Sequence, residues 1–417
     1  MIMRILISAY ACSPYDGSER AVGWNWITEL DKYHTIIALT SSKYKKDIED
    51  YLYKNPETLK NTKFIYIDVP NTSWHVGYRL ERLYYILWQK EALKIAKKIT
   101  SREEFDLVHH ITYVTCILPT YMYKLNLPFL YGPVSGGENT PSVIHYPMTK
   151  KDKFVETVRK MSQTLFSNTL NYHKTMEKAT LILTTTEETK NSIPEKYHNK
   201  IQVFQSIGLR KDMFFPEPDK RENKIPQFLM AGRMLYWKGF ELGIVAFVKA
   251  LKDGVNAELT VLGDTEGNPD YERHMEKLKM MCEEYLENKI YFVSTVPHDK
   301  MKSFYDEFDV LLNCSLRDSG CFVVMEAMSR SLPVICVNTG GPRVNTTNKT
   351  AIKIEPAPMA KMIDECSKAI TDLATDSSRR KMMGSLGRKY ALEHFMISER
   401  TKMMNEYYEI VVRKYKE

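Results

Sequence analysis

The stretch "QFLMAGRMLYWKGFELGIVAFVKALKD" (227–253) begins as an apolar strand (227–233). It then passes a turn holding Arg233, Lys238 and Gly239 and continues as a helix over 238–253. Strand, glycine-bearing turn and helix is the opening unit of a parallel sheet whose crossovers are helical. The chain makes the same start at its N-terminus, with "MRILISA" (3–9), the turn "DGSER" (16–20) and the helical "AVGWNWITELDKYH" (21–34). After the first start come the apolar runs 35–41, 63–70, 106–112, 128–137 and 179–186; after the second come 257–264, 289–296, 308–315 and 332–341. Between the two series lies "GLRKDMFFPEPDKRENKIPQ" (208–227), charged and carrying three prolines, which is linker composition. Two Rossmann-like α/β domains are predicted, with ligands at the carboxyl ends of the strands in a cleft between them.

The totals agree with that division. A length of 417 residues suits two domains. With 43% hydrophobic and 27% charged residues, the chain has the composition of a globular protein. The formal net charge of +7 points to anionic partners such as nucleotides, phosphorylated acceptors or an acidic membrane face, and falls short of what a nucleic-acid binder carries. The seven cysteines are scattered and form no CxxC pair, which predicts reduced thiols and a cytoplasmic setting. The first residues enter a strand pattern at once, so no secretory leader is expected, and no apolar run reaches the roughly 18 residues of a membrane span.

Three stretches carry candidate chemistry. In 231–247, Arg233 follows a strand and Lys238 stands at a helix start; two cations there can hold a pyrophosphate, or can be ordinary solvated surface charges. In "YDGSERAVGW" (15–24), Gly17 and Ser18 allow close approach of the backbone to a phosphate or sugar, or make a plain βα turn with Ser18 as the helix cap. In "SLRDSGCFVVMEAMSRSLPVICVNTGGP" (315–342), Asp318 enters an apolar run and Glu326 sits within it, on a helix expected from about Gly320 to Ser331. A Glu326–Arg330 pair at i, i+4 accounts for Glu326 but leaves Asp318 unexplained.

Taken together, these stretches resemble the retaining glycosyltransferases of family 4, which have the GT-B fold: two Rossmann-like domains facing each other across a cleft. That family carries a "GR…KG" element and the motif E-G-F-G-x-x-x-x-E-A-M-A-x-G-x-P-V-I. Here the motif stands as Asp318, Ser319, Gly320, Cys321, Phe322 through Glu326, Ala327 and Met328, then Pro333, Val334 and Ile335. "SAYACSPYDGSERAVGWNW" and "DLVHHITY…PFLYGPVSGGE" are similar to one bacterial branch of the family. The resemblance implies an acceptor-side domain at 1–210, a linker at 211–227, a donor-side domain at 228–395 and a helix at 396–417 crossing back to the first domain. It implies that Arg233 and Lys238 hold the donor diphosphate, that Glu326 accepts from the ribose hydroxyls, and that Asp318 stands near the donor sugar with Ser319, Gly320, Cys321 and Phe322 around it. Gly17 and Ser18 would line the phosphate side, and the backbone at Thr295 and Val296 would hold the base.

The implied reaction moves a sugar from a nucleotide-diphosphate donor to a glycan or lipid-linked acceptor, with no cofactor and no metal. "DTEGNPD" (264–270), the nearest acidic loop, is not an Asp-x-Asp metal motif. Asp318 in place of Glu, Ser319 and Cys321 in place of Gly, and Ser331 in place of Gly are departures from the family pattern. A non-catalytic GT-B-like subunit and a nucleotide-sugar epimerase are the alternative readings. The histidine that many members carry is missing from "PFLYGPVSGG". His109 and His110 are the nearest replacements, they point to opposite faces of a strand, and His110 is the one taken as a catalytic candidate. Two basic, partly aromatic segments, 78–99 and 148–161, suit contact with an anionic membrane at the inner face of the cell.

Overall fold

The computed structural model describes residues 2–15, 18–70, 81–118, 120–146, 148–211, 217–218, 223–264, 269–297 and 300–417. Gly17, the side chain of Ser18, residues 78–80 of the first basic segment and residues 212–216 and 219–222 of the expected linker lie outside the described residues.

The chain folds as two compact units, 1–137 with 156–208 and 397–417, and 138–155 with 209–396. In the first, seven described strands form one parallel sheet: β1 Arg4–Ala9, β2 Thr35–Ser41, β3 Thr62–Ile67, β4 Leu107–Thr112, β5 Phe129–Val134, β6 Leu181–Thr184 and β7 Ile201–Val203, in the order β3-β2-β1-β4-β5-β6-β7. From Ile5 to Ala9, β1 is buried on both faces, as strands sandwiched between helices must be. The helix Glu81–Thr100 corrects an expectation. Its aromatic side is not offered to a membrane: Tyr85 and Trp88 are fully buried and pack edge-on against Tyr10, with ring centroids 5.1 and 5.2 Å apart. Lys90, Lys94, Lys97 and Lys98 remain as its solvated outer side. The helix Ile397–Lys416 belongs to this unit, through Asn405 against His34 at 2.9 Å and Tyr408 against His109 at 2.8 Å.

The second unit carries six described parallel strands: β8 Gln227–Arg233, β9 Glu258–Asp264, β10 Ile290–Val293, β11 Val310–Asn313, β12 Val334–Val337 and β13 Ala351–Ile354, in the order β10-β9-β8-β11-β12-β13. Its core gathers Phe228, Phe240, Phe247, Leu259, Val261 and Ile335. Residues 138–155, expected in the first domain, group with this unit. The reason is local burial. Ile144 and Tyr146 join its apolar core, and the Tyr146 hydroxyl donates to the buried carboxylate of Glu241.

The Glu326–Arg330 pair that the spacing allows as an alternative account of Glu326 is replaced by another partner for Arg330. Arg330 is fully buried and forks onto Asp306, with Nε at 2.8 Å and Nη2 at 2.5 Å. A guanidinium so enclosed needs a carboxylate that is itself held in place. Two departures from the family motif fall on left-handed backbone: Cys321 has φ 54° and Ser331 φ 62°. A side chain at such a position costs about 1–2 kcal/mol that glycine avoids. Ser331→Gly is therefore expected to raise the stability of the second unit by about 1 kcal/mol. A urea titration checks this, and an unchanged or lowered midpoint counts against it.

Candidate functional site

In the second sheet the strand order reverses between β8 and β11, and ligand crevices of open α/β sheets form at the carboxyl ends of strands on either side of such a switch. The turns that leave β8, β11 and β12 meet there. Gly239 has φ 68°, and a Cβ on it would come within 2.0 Å of the Cys314 carbonyl oxygen. Glycine lets the turn after β8 lie directly against the end of β11. The Leu316 N–H donates to the Trp237 carbonyl at 2.8 Å, and the Arg317 guanidinium stacks over the Trp237 ring at 4.5 Å.

This docking brings Lys238 to Asp318 across 80 residues of sequence, and the ammonium donates to the carboxylate. Their side chains are only 19% and 15% exposed. Burial opposes the charge on each, and the partner more than offsets it. Beside Asp318 the ammonium of Lys238 is held above the ordinary lysine value, despite the nearby positive charge of Arg233. Beside Lys238 the Asp318 carboxyl is held below the ordinary carboxylate value.

The loop from Asp318 to Cys321 is fixed from a third direction. After β12, Gly340 has φ 47°, and a Cβ there would meet the Asp318 carbonyl oxygen at 2.2 Å. The Gly341 N–H donates to that oxygen at 2.7 Å, and Asn345 donates to the Gly320 carbonyl at 2.7 Å. The Cys321 N–H donates to Asp318 Oδ1 at 3.2 Å, just before the helix Phe322–Ser329. Ser319, Gly320 and Phe322 are half-buried around this loop. The starts of three helices, at Phe240, Phe322 and Gly340, thus surround one paired ammonium and carboxylate. Helix starts and a cation are what a phosphate group binds.

Glu326 lies in the second turn of its helix and accepts from the hydroxyl of fully buried Tyr305 at 2.7 Å. Burial pushes its carboxyl up to about 7, with the Tyr305 hydrogen bond acting in the opposite direction. Arg233 is exposed at the end of β8. Thr295 is exposed and Val296 half-buried in the loop after β10, at the same carboxyl edge of the sheet.

The first unit treats its candidates differently. His110 is 1% exposed, with Nδ1 3.2 Å from Ser8 Oγ and its ring stacked on Tyr131. Burial pushes it down to about 3, and His109 down to about 4. Both imidazoles are neutral packing elements of β4, and His110 has no open face from which to act. The sequence reading passed over Glu19, next to Ser18. Its carboxyl is pushed up to about 7 by burial, against the pull of the Val114 N–H that it accepts. It also missed Tyr305, for which the sequence gives no signal, and Gly340–Gly341, whose glycine pair after an apolar run marks a strand-to-helix turn.

Residues 212–390, which fall largely in the second unit, match the family model described as glycosyl transferases group 1. An uncharacterized glycosyltransferase of Methanocaldococcus jannaschii is 25% identical over 270 residues, covering 59% of this chain and 64% of that protein. The first curated relatives are matched over 35% to 64% of their own length. Among solved structures, a glycosyltransferase from Rickettsia africae superposes with a TM-score of 0.65 at 17% identity, covering 99% of both chains. Anabaena HepE, solved in complex with UDP and glucose, superposes at 0.60 and 13% identity, covering 98% of this chain and 99% of that one. The fold is that of the GT-B glycosyltransferases, with two Rossmann-like units.

Proposed function

We propose that the protein is a retaining, metal-independent family 4 glycosyltransferase. It would move a sugar from a nucleotide-diphosphate donor to a glycan or lipid-linked acceptor in cell-surface polysaccharide, lipopolysaccharide or protein-glycan synthesis. The observation that carries the reading is the buried Lys238–Asp318 pair among three helix starts at the strand-order switch. The group 1 match over the same residues supports it, as does the nucleotide bound by the Anabaena relative.

In this reading Lys238 and Arg233 face the donor diphosphate and take up the charge that develops on it. Glu326 accepts from the ribose hydroxyls, Asp318 and the loop Ser319–Phe322 meet the donor sugar, and the loop at Thr295 and Val296 receives the base. The bond from the anomeric carbon to the phosphate oxygen breaks, and its electron pair leaves on the diphosphate. The acceptor oxygen bonds the same carbon from the same face, and its proton passes to a phosphate oxygen. His110 takes no part. The setting is cytoplasmic, against the inner face of the membrane; no helix of the described residues is long and apolar enough to cross one.

The test is to incubate purified protein with a panel of nucleotide sugars and acceptors, with and without a chelator, and to read the anomeric configuration of the product by NMR. Transfer with retention, indifferent to the chelator, is expected. Conversion of one sugar nucleotide without acceptor would identify an epimerase. A folded protein that binds nucleotide yet neither transfers nor hydrolyses any donor would be the supporting subunit.

A further inference from the structure

Two features of the second unit cost stability, and both bear on the loop Asp318–Cys321. The first is Asn345, the last residue of the helix Gly340–Asn345 and only 1% exposed. Its Nδ2 donates to the Gly320 carbonyl at 2.7 Å. That bond fixes which way the amide faces and leaves Oδ1 buried with no partner among the described residues. A buried acceptor without a donor is destabilising, and an apolar side chain of the same branching avoids it. Thr346 beside it is also buried, yet its hydroxyl donates to the Pro342 carbonyl at 2.7 Å. The second feature is Cys321, buried, with φ 54° and ψ 60°. Its thiol donates to the Asp318 carboxylate and accepts from Asn313 Nδ2 at 3.5 Å. Asn313 is itself buried at the end of β11, and its Oδ1 accepts from the Ser315 N–H at 3.4 Å. Glycine would relieve the left-handed backbone at Cys321 and would lose both thiol contacts.

We propose that Asn345 and Cys321 are positioning residues for the sugar half of the donor, holding the loop Asp318–Cys321 and its carboxylate in the shape that the sugar meets. Asn345 acts through the Gly320 carbonyl and Cys321 through Asp318; both side chains are enclosed and neither is open to a ligand. Lys238 grips Oδ2 of Asp318 and the Cys321 N–H grips Oδ1, so the thiol is a third hold on one carboxylate. A destabilising feature kept where a plain packing alternative exists points to function. Here two of them converge on four residues. The proposal rests on the reading of this site as the donor site and adds what fixes its sugar end.

The experiment is calorimetric titration of the full chain with paired probes, each a nucleotide-diphosphate sugar and its own nucleoside diphosphate. The pairs are UDP-glucose with UDP, GDP-mannose with GDP, and their adenosine and thymidine equivalents. The wild type is compared with Asn345→Leu, Cys321→Gly and Cys321→Ser. For a pair that the wild type binds, Asn345→Leu and Cys321→Gly should each weaken the sugar nucleotide by about tenfold, the effect of one lost hydrogen bond. The nucleoside diphosphate should bind as before, since Lys238, Arg233 and Glu326 are untouched. Cys321→Ser keeps a hydroxyl donor for Asp318 and should restore the sugar nucleotide. Circular dichroism and urea titration establish that each variant is folded. An equal loss for both members of a pair would make the two side chains ordinary supports of the unit and overturn the proposal. Sugar-nucleotide binding that neither Asn345→Leu nor Cys321→Gly lowers would overturn it too, as would Cys321→Ser binding as weakly as Cys321→Gly; in these cases the donor site stands. Binding of no pair by the wild type would overturn the reading of the site itself, and the proposal with it.

Discussion

Lys238→Ala is expected to lower sugar transfer on the order of 100-fold to 1,000-fold, the usual effect of removing one group aimed at developing charge. The same change also leaves Asp318 without its partner in a site where the carboxylate is only 15% exposed. Removing one member of a buried ion pair destabilises by roughly 3–5 kcal/mol, because the other charge is left uncompensated. A loss of transfer in the single variant is therefore ambiguous. The double variant Lys238→Ala with Asp318→Ala separates the two causes. With neither charge present the desolvation penalty disappears, and stability by urea titration should recover most of what either single variant loses. Transfer should not recover if Lys238 faces the diphosphate as proposed, since that cation is still gone. If the double variant regains both stability and transfer, the pair is a structural strut and the donor site lies elsewhere.

That pair also shows how far the sequence could be followed. Lys238 and Asp318 were each visible as candidates, at a helix start and at the mouth of an apolar run. Their contact was not, because 80 residues separate them and it depends on how closely Gly239 lets one turn approach the end of another strand. Conversely, a contact the spacing suggested did not form. Arg330 sits four residues after Glu326, but its side chain turns into the core toward Asp306, and Glu326 is left to Tyr305. Local spacing indicates which partners are reachable; burial decides which are taken.

The fold was more legible, for the same reason. Central strands such as β1 and β12 are near-continuous apolar runs because both faces are covered. The edge strands β7 and β13 were missed. One is three residues long, the other four, and each has a partly open face, so neither leaves a periodic signal. Residues 138–155 were placed with the wrong neighbours because their allegiance rests on side chains, Ile144 and Tyr146 among them, reaching a core distant in sequence. The aromatic side of the helix Glu81–Thr100 was ambiguous in sequence. Tyr and Trp serve equally at a membrane interface and in a core, and partners distant in sequence, Tyr10 just after β1 among them, decide between the two.

Glu326 gives the second large effect, a dependence of donor binding on pH. Burial raises its carboxyl to about 7, so in the free protein it is mostly protonated at pH 6 and mostly ionised at pH 8. In the proposed role, accepting from two ribose hydroxyls favours the ionised form, because a carboxylate is acceptor-only and a protonated carboxyl is not. Binding should therefore strengthen with rising pH and level off above about 7, with about a tenfold weaker affinity at pH 6 than at pH 8. A nucleotide-diphosphate sugar is the right ligand for the titration, since its bridged phosphates have no second ionisation in this range. Glu326→Gln should bind weakly at every pH and show a flat profile. Stability should move in the opposite direction. A carboxyl whose folded value is raised contributes fully below its unfolded value, and that contribution is lost as pH rises through about 7. Glu326→Gln, which has no charge to bury, should therefore be more stable than the wild type at pH 8 while binding donor less well. A glutamine variant that keeps the slope would assign the titration to another group. One that loses stability at pH 8 would make Glu326 a structural acid and remove it from the ribose site.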